Sequence, residues 1–137
     1  MVPVGLSMKG RVRTTGATWS LCVSAMIESS LESKPMADAP DLSLVVPIFN
    51  EEESVGPLIA RVQESMAGYA GSWELILIDD GSTDATLAAA RSAIGRDGLD
   101  LRIVAMQRNF GQTAAMQAGI TQARGRLIAT LDGDLQN

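Results

Sequence analysis

Residues 73–82 read Trp-Glu-Leu-Ile-Leu-Ile-Asp-Asp-Gly-Ser, a mostly apolar run that ends abruptly in polar residues. A continuous apolar run, as opposed to an alternating one, is typical of a strand that is covered on both faces. Strands of this kind occur in parallel sheets with helices on either side. The stretch therefore predicts a buried strand with polar side chains at its carboxyl end.

Three further apolar runs resemble it, at residues 42–48, 101–105 and 127–131. The segments between the runs show helical spacing of apolar residues. The first predicted helix carries Val55, Leu58, Ile59, Val62 and Met66, the second runs to Ile94, and the third carries Met116, Gly119, Ile120 and Ala123. The resulting order, βαβαβαβ, predicts an α/β fold with a mainly parallel sheet.

The polar residues before the predicted helices are of the types that commonly cap helix N-termini. Asn50 with Glu53 three positions later resembles a capping box for the first helix, and Ser82 or Thr83 is expected to cap the second. Gly119 is expected to let the third helix approach the sheet closely.

Each predicted strand ends in polar residues, namely Asn50-Glu51, Asp79-Asp80-Gly81-Ser82, Gln107-Arg108-Asn109 and Asp132-Gly133-Asp134. The carboxyl ends of parallel strands share one edge, where α/β folds bind ligands. Taken singly, each ending has a structural explanation as a helix cap, a turn or an ion pair. Together they predict a binding site.

Asp132 and Asp134 flank a single glycine, so their carboxylates are expected to lie close together. Such a pair repels itself unless a cation or a proton is shared. Mg²⁺ and Mn²⁺ favour oxygen ligands, and Gln136 offers an amide oxygen two residues further on. These three residues are the candidate metal ligands, although short acidic pairs also occur by chance.

Composition excludes several classes of chemistry. The chain has no histidine, which removes Ser-His-Asp and Cys-His catalysis and histidine-ligated zinc. A net charge of −5 provides no broad basic surface, so we expect no nucleic-acid partner. Cys22 is the single cysteine and has no partner for an internal disulfide, which favours a cytoplasmic location.

Residues 1–40 lack clear periodicity and are interpreted as a poorly ordered extension that precedes a domain at 41–137. Basic residues followed by Trp19 to Ile27 faintly imitate an export signal, but serines interrupt the apolar part. A simpler interpretation than an export signal is that residues 1–35 are an extension from an upstream start codon, since Met36 lies just before the organised region. No apolar run approaches the roughly 20 residues that span a bilayer, so we expect no such segment.

From Leu42 onward the chain resembles the family 2 glycosyltransferases of the GT-A fold, particularly dolichol-phosphate mannosyltransferase-like and bacterial polyprenyl-phosphate sugar transferases. Four segments in order carry the resemblance: 45–51 (VVPIFNE), 78–84 (IDDGSTD), 108–112 (RNFGQ) and 131–136 (LDGDLQ). The resemblance implies a Rossmann-like nucleotide-binding half of the GT-A fold.

The resemblance also implies roles for the strand-end residues. Those expected to bind the nucleotide-sugar are Pro47, Phe49, Asn50, Glu51, Asp80, Ser82, Arg108 and Asn109, the last two near the phosphates or the sugar. Asp132, Asp134 and Gln136 match the family's metal site for Mg²⁺ or Mn²⁺. No residue is identified as a catalytic base.

The implied reaction moves a sugar, with inversion, from a UDP- or GDP-linked donor to a polyprenyl phosphate at the cytoplasmic face of a membrane. The family's acceptor half is expected after Asn137, so the chain is interpreted as incomplete and is predicted to lack transferase activity alone. The main alternative is a nucleotide-sugar-binding or degenerate module without turnover. A haloacid-dehalogenase-type phosphatase is a remote alternative, and the absence of a Gly-x-Gly-x-x-Gly turn disfavours a nicotinamide-binding domain.

Overall fold

The computed structural model describes residues 38–133. The elements are β1 (Leu42–Ile48), α1 (Val55–Met66), β2 (Trp73–Asp79), α2 (Thr86–Arg91), β3 (Leu101–Ala105), α3 (Gln112–Gln122) and β4 (Leu127–Thr130). A 3-10 turn at Arg96–Gly98 precedes β3. The predicted order βαβαβαβ is confirmed. Most of residues 1–40, which we interpreted as a poorly ordered extension, lie outside the described range. Asp134 and Gln136 also lie outside it.

The four strands form one sheet in the order β3-β2-β1-β4, with every neighbouring pair parallel. β1 is paired along its whole length with β2, from Leu42 opposite Trp73 to Ile48 opposite Asp79. The chain builds outward from β1 to β3 and then returns to place β4 on the other side of β1. The strand order therefore reverses between β1 and β4, which is where open α/β sheets form a ligand crevice.

Alternate residues of the strands supply two cores, one on each face of the sheet. Leu44, Val46 and Ile48 of β1 belong to the cluster that includes the buried residues of α1, whereas Val45 belongs to the cluster with Ala115 of α3. Side chains of a strand alternate between faces, so two covered faces explain the continuous apolar runs.

Gly119 lets α3 lie directly on the sheet, as expected. A Cβ atom at this position would lie 2.4 Å from Cγ1 of Val45 and 2.5 Å from Cδ1 of Ile78. α3 accordingly packs on β1 and β2.

The predicted helix caps are wrong. α1 begins at Val55 without a side-chain cap, and Oδ1 of Asn50 instead accepts the N–H of Thr83 at 2.8 Å. α2 begins at Thr86, and Oγ of Ser82 accepts the N–H of Asn50 at 2.9 Å. These side chains join two loops that are about 30 residues apart in sequence. Regular helix in α2 ends at Arg91, and only turns continue to Ile94.

The amino edge of the sheet contains a buried charge. Glu74 at the start of β2 is fully buried and accepts hydrogen bonds from Nε and Nη2 of Arg124, at 2.9 and 2.7 Å. Its other oxygen accepts the hydroxyl of Ser43 at 2.6 Å and the backbone N–H of Arg124 at 2.8 Å. Arg124 also pairs with Asp100 at 2.7 Å, so the cluster ties the starts of several strands together.

Candidate functional site

A cleft of about 250 Å³ lies at the carboxyl edge of the sheet, next to the position where the strand order reverses. Its lining comes from the ends of β1, β2 and β4 and from the loop between β3 and α3. The lining residues are Pro47, Ile48, Phe49, Glu51, Asp80, Asn109, Gly111, Gln112, Asp132 and Gly133. The structure thus brings six of the predicted site residues into one cleft: Pro47, Phe49, Glu51, Asp80, Asn109 and Asp132.

The β1 side of the cleft is both apolar and acidic. Phe49 leaves 41% of its surface exposed although it directly follows a buried strand. Glu51 lies two residues further on, in the same lining. An exposed aromatic ring next to a carboxylate is suited to a ligand with a flat face and hydrogen-bond donors.

Asp80 holds the loop before α3 in place. The residue is buried, with 4% of its surface exposed, and its two carboxylate oxygens accept the N–H groups of Phe110 and Gly111, at 2.8 and 3.0 Å. Gly81 beside it adopts a φ of 71°, and a Cβ there would lie 2.3 Å from the carbonyl carbon of Arg108. Only glycine allows this contact, which presses the loops after β2 and β3 together.

Gly133 brings the segment after β4 against β1. A Cβ at this position would lie 2.3 Å from the carbonyl oxygen of Pro47, and the glycine is buried. The N–H of Leu131 donates to the carbonyl oxygen of Val45 at 2.9 Å, which continues the β1–β4 pairing. Asp132, between these two anchors, lines the cleft.

The lining offers the oxygen ligands that a hard divalent cation prefers. Glu51, Asp80 and Asp132 contribute carboxylate oxygens, which Mg²⁺ and Mn²⁺ prefer. Within residues 38–133, however, no three Asp, Glu, His or Cys side chains lie close enough together to form a metal site. Asp134 and Gln136, the other two predicted ligands, lie outside the described range.

Three predicted site residues lie outside the cleft lining. Asn50 and Ser82 belong to a set of hydrogen bonds between residues 50–52 and residues 82–86, which we call the loop bridge. Arg108 places its guanidinium carbon 4.7 Å from the centre of the Phe110 ring. The loop bridge is joined to the cleft through the lining residue Glu51, and Arg108 lies next to the lining residue Asn109.

Sequence reasoning missed four lining residues and one supporting residue. Ile48, Gly111 and Gly133 lie within the quoted segments but offer no polar side-chain atom, whereas Gln112 has an amide that donates and accepts hydrogen bonds and was overlooked. Thr86 is fully buried in the loop bridge. Its signal in the sequence is the pair Asp84 and Thr86 at the start of an alanine-rich segment.

No helix within residues 38–133 has the length and apolar character that crossing a membrane requires. α1 is the longest of the three α-helices in this range, with 12 residues.

Residues 43–137 match the model of glycosyl transferase family 2. The chain is 74% identical over 97 residues to the dodecaprenyl-phosphate galacturonate synthase of Rhizobium johnstonii. It is 42% identical over 96 residues to the undecaprenyl-phosphate 4-deoxy-4-formamido-L-arabinose transferase of Pseudomonas paraeruginosa. These matches cover 71% and 70% of this chain but only 29% and 28% of the two relatives.

Two solved structures show the same fold. The mannosyltransferase PcManGT from Pyrobaculum calidifontis, in complex with GDP-Man and Mn²⁺, matches with a TM-score of 0.59 and 22% identity, over 72% of this chain and 29% of its own. TarS 1-349 of S. aureus in complex with UDP-GlcNAc matches with a TM-score of 0.57 and 24% identity, over 69% of this chain and 26% of its own. At this level of identity the likeness concerns the fold alone.

Proposed function

Because the chain belongs to glycosyl transferase family 2, we propose that it supplies the nucleotide-sugar-binding part of an inverting glycosyltransferase whose acceptor is a polyprenyl phosphate. The names of the two relatives, both of which include a polyprenyl phosphate, support the choice of acceptor. Such an acceptor is embedded in a membrane, and we assign the reaction to the membrane's cytoplasmic face. The chain spans less than a third of these relatives' length, and the remainder of the reaction is assigned to the part it does not cover.

The observation that carries the proposal is the cleft at the β1–β4 reversal. Phe49 and Pro47 offer apolar surface for a nucleoside base, and the carboxylates of Glu51 and Asp80 accept hydrogen bonds from base N–H or ribose hydroxyl groups. Both Asp80 oxygens already accept one N–H each, and a carboxylate oxygen has capacity for a second. Asn109, with Arg108 beside it, is assigned to the phosphates or the sugar.

Asp132, together with Asp134 and Gln136, is assigned to Mg²⁺ or Mn²⁺. A bound divalent cation would neutralise the charge that develops on the departing nucleoside diphosphate. The polypeptide's own task is to orient the donor so that the acceptor phosphate attacks the anomeric carbon in line. The acceptor is itself an anion, so the reaction has little need of a general base.

The test is calorimetric titration of the 137-residue chain with UDP- and GDP-sugars, with and without Mn²⁺. We expect one nucleotide to bind in a Mn²⁺-dependent manner, and Asp132→Asn to weaken that binding at least about tenfold. Asp97→Asn removes the same charge at the opposite edge of the sheet and should change nothing. Equal affinities for wild type and Asp132→Asn would refute the metal assignment, and no binding of either nucleotide would refute the site.

A second titration separates the nucleoside pocket from the metal site. Uridine or guanosine carries the base and ribose without the phosphates, so its affinity should be the same with Mn²⁺ and with EDTA. Sugar transfer to undecaprenyl phosphate, measured with the longest reading frame that contains these residues, distinguishes an enzyme from a degenerate binding module. We expect transfer in that assay, and donor binding without transfer for the 137-residue chain.

A further inference from the structure

Thr86 lies behind the cleft and does not line it. The residue is fully buried at the start of α2, and its Oγ1 accepts the backbone N–H of Glu51 at 2.7 Å. The same hydroxyl donates to Oδ1 of Asp84. One buried hydroxyl therefore connects a cleft residue on the first loop with a carboxylate on the second.

The hydroxyl has a single orientation in this arrangement. Oδ1 of Asp84 also accepts the backbone N–H of Thr86 at 2.9 Å, and the Thr86 hydroxyl bond lowers the pKa of Asp84. An ionised Asp84 accepts and cannot donate, so the proton of the Thr86 hydroxyl points toward it. The lone pair of Oγ1 is then directed at the N–H of Glu51.

Glu51 is held on both sides of its backbone. Its N–H donates to Thr86, and its carbonyl oxygen accepts the N–H groups of Ser54 and Val55 at 3.0 and 2.8 Å. The preceding residue, Asn50, has a φ of 50°, in the left-handed region that asparagine adopts more readily than most other residues besides glycine. The loop bridge holds Asn50 through its N–H and its Oδ1, and Glu51 next to it belongs to the cleft lining.

We propose that Thr86 is a positioning residue for the nucleotide-sugar: its hydroxyl fixes the Glu51 backbone and, through it, the acidic wall of the cleft. The inference rests on the proposed function, because a nucleotide is the ligand whose contacts Glu51 would make. Preorganising a binding wall lowers the ordering cost that a ligand otherwise meets when it binds. Loss of the hydroxyl should therefore appear as weaker donor binding.

The experiment compares three variants with wild type, and a fourth, Asp84→Asn, tests the carboxylate that orients the hydroxyl. Thr86→Val keeps the shape and removes the hydroxyl, Thr86→Ser keeps the hydroxyl, and Thr121→Val removes a hydroxyl that donates to the Gln117 carbonyl within α3, away from the cleft. Calorimetry with UDP and GDP in Mn²⁺ gives the affinity. Hydrogen exchange at the Glu51 amide reports the bond itself.

We expect Thr86→Val to weaken nucleotide binding roughly tenfold and to accelerate exchange at the Glu51 amide by a similar factor, as suits the loss of one buried hydrogen bond. Thr86→Ser should restore both, and Thr121→Val should change neither. Asp84 is exposed, so Asp84→Asn should fold normally and should shift both readings in the same direction by about threefold.

The outcomes separate the inference from the proposed function. If wild type binds neither nucleotide, the proposed function fails, whatever the exchange rates show. If wild type binds but Thr86→Val binds equally well, or if Thr86→Ser is as weak as Thr86→Val, Thr86 does not position the donor. Should Thr86→Val not fold, unchanged affinity in Asp84→Asn overturns the inference instead.

Discussion

Replacing Arg124 with alanine should destabilise the protein strongly, although this arginine lies at the surface. Its side chain is 44% exposed, whereas its partner Glu74 is fully buried. The substitution removes both hydrogen bonds to Oε2 of Glu74 and leaves those to Oε1 from Ser43 and from the backbone of residue 124. Removing one partner of a buried pair costs about 3–5 kcal/mol. Arg102 at 3.8 Å compensates in part, so we expect about 2–4 kcal/mol.

The assay is urea denaturation followed by far-UV circular dichroism, with Arg126→Ala as the matched control. Arg126 pairs with Asp41 at 3.4 Å, but both side chains are well exposed, so its loss should leave the stability within experimental error. Arg124→Lys keeps the charge without the paired donors and should fall between the two.

The pH dependence gives an independent reading. In the wild type, burial alone would raise the pKa of Glu74, but hydrogen bonds from Ser43 and Arg124 outweigh it and hold the pKa below its usual 4.5. The corresponding stabilisation is complete above pH 4.5 and is lost as the pH falls through the lower folded-state value. Without the Arg124 side chain, its hydrogen bonds and its charge no longer lower the pKa of Glu74, so this pKa rises and the variant loses less stability in acid than the wild type does. The gap between the two proteins should be widest near neutral pH and narrow in acid. A gap equal to that of Arg126→Ala, or one independent of pH, would refute the reasoning.

Three further predictions concern packing and the cleft. Gly119→Ala should lower the free energy of unfolding, measured by urea denaturation, by roughly 1–2 kcal/mol, because overpacking against Val45 and Ile78 exceeds the gain in helix propensity. Gly56→Ala is the control: a Cβ there meets open space, so the substitution should be neutral or stabilising. Gly133→Ala should weaken Mn²⁺-dependent nucleotide binding at least about tenfold in calorimetry, and by more than it weakens uridine or guanosine binding, because a Cβ 2.3 Å from the Pro47 carbonyl displaces the segment that carries Asp132. Arg108→Ala should change the free energy of unfolding by less than about 1 kcal/mol, because the cation–π contact that it removes is exposed. The same substitution should weaken the binding of nucleoside diphosphates more than the binding of nucleosides. Equal weakening of both would contradict the assignment of Arg108 to the phosphates.

The strands were predictable because their burial leaves a direct trace in the sequence. A residue such as Ile76 or Leu77 has no exposed surface on either face of the sheet, so the apolar run is unbroken. Gly119 was also recognisable, since a glycine on the apolar side of a helix costs helix stability unless it lets the helix backbone approach a neighbour. The common edge of the strand ends then followed from the parallel arrangement alone.

The helix starts and the supports of the cleft were not predictable in the same way. Asn, Ser and Thr side chains serve equally well as local caps or as tertiary hydrogen-bond partners, and local sequence does not distinguish the two. Asn50 bonds to Thr83, 33 residues away, and Thr86 bonds to Glu51 at a similar separation. The buried Glu74 likewise depends on Arg124, 50 residues further on.

The buried carboxylates at the two edges of the sheet have different partners, and the difference bears on the proposed metal. At the amino edge the charge of Glu74 is compensated within the protein by a guanidinium. At the carboxyl edge Asp80 is held by backbone amides, which carry no formal charge, and the carboxylate of Glu51 belongs to the same lining. A nucleoside diphosphate would bring further negative charge into this small cleft, where like charges repel. A divalent cation would offset this repulsion, which is the physical reason why the proposed donor binding is expected to depend on Mn²⁺ in the titration.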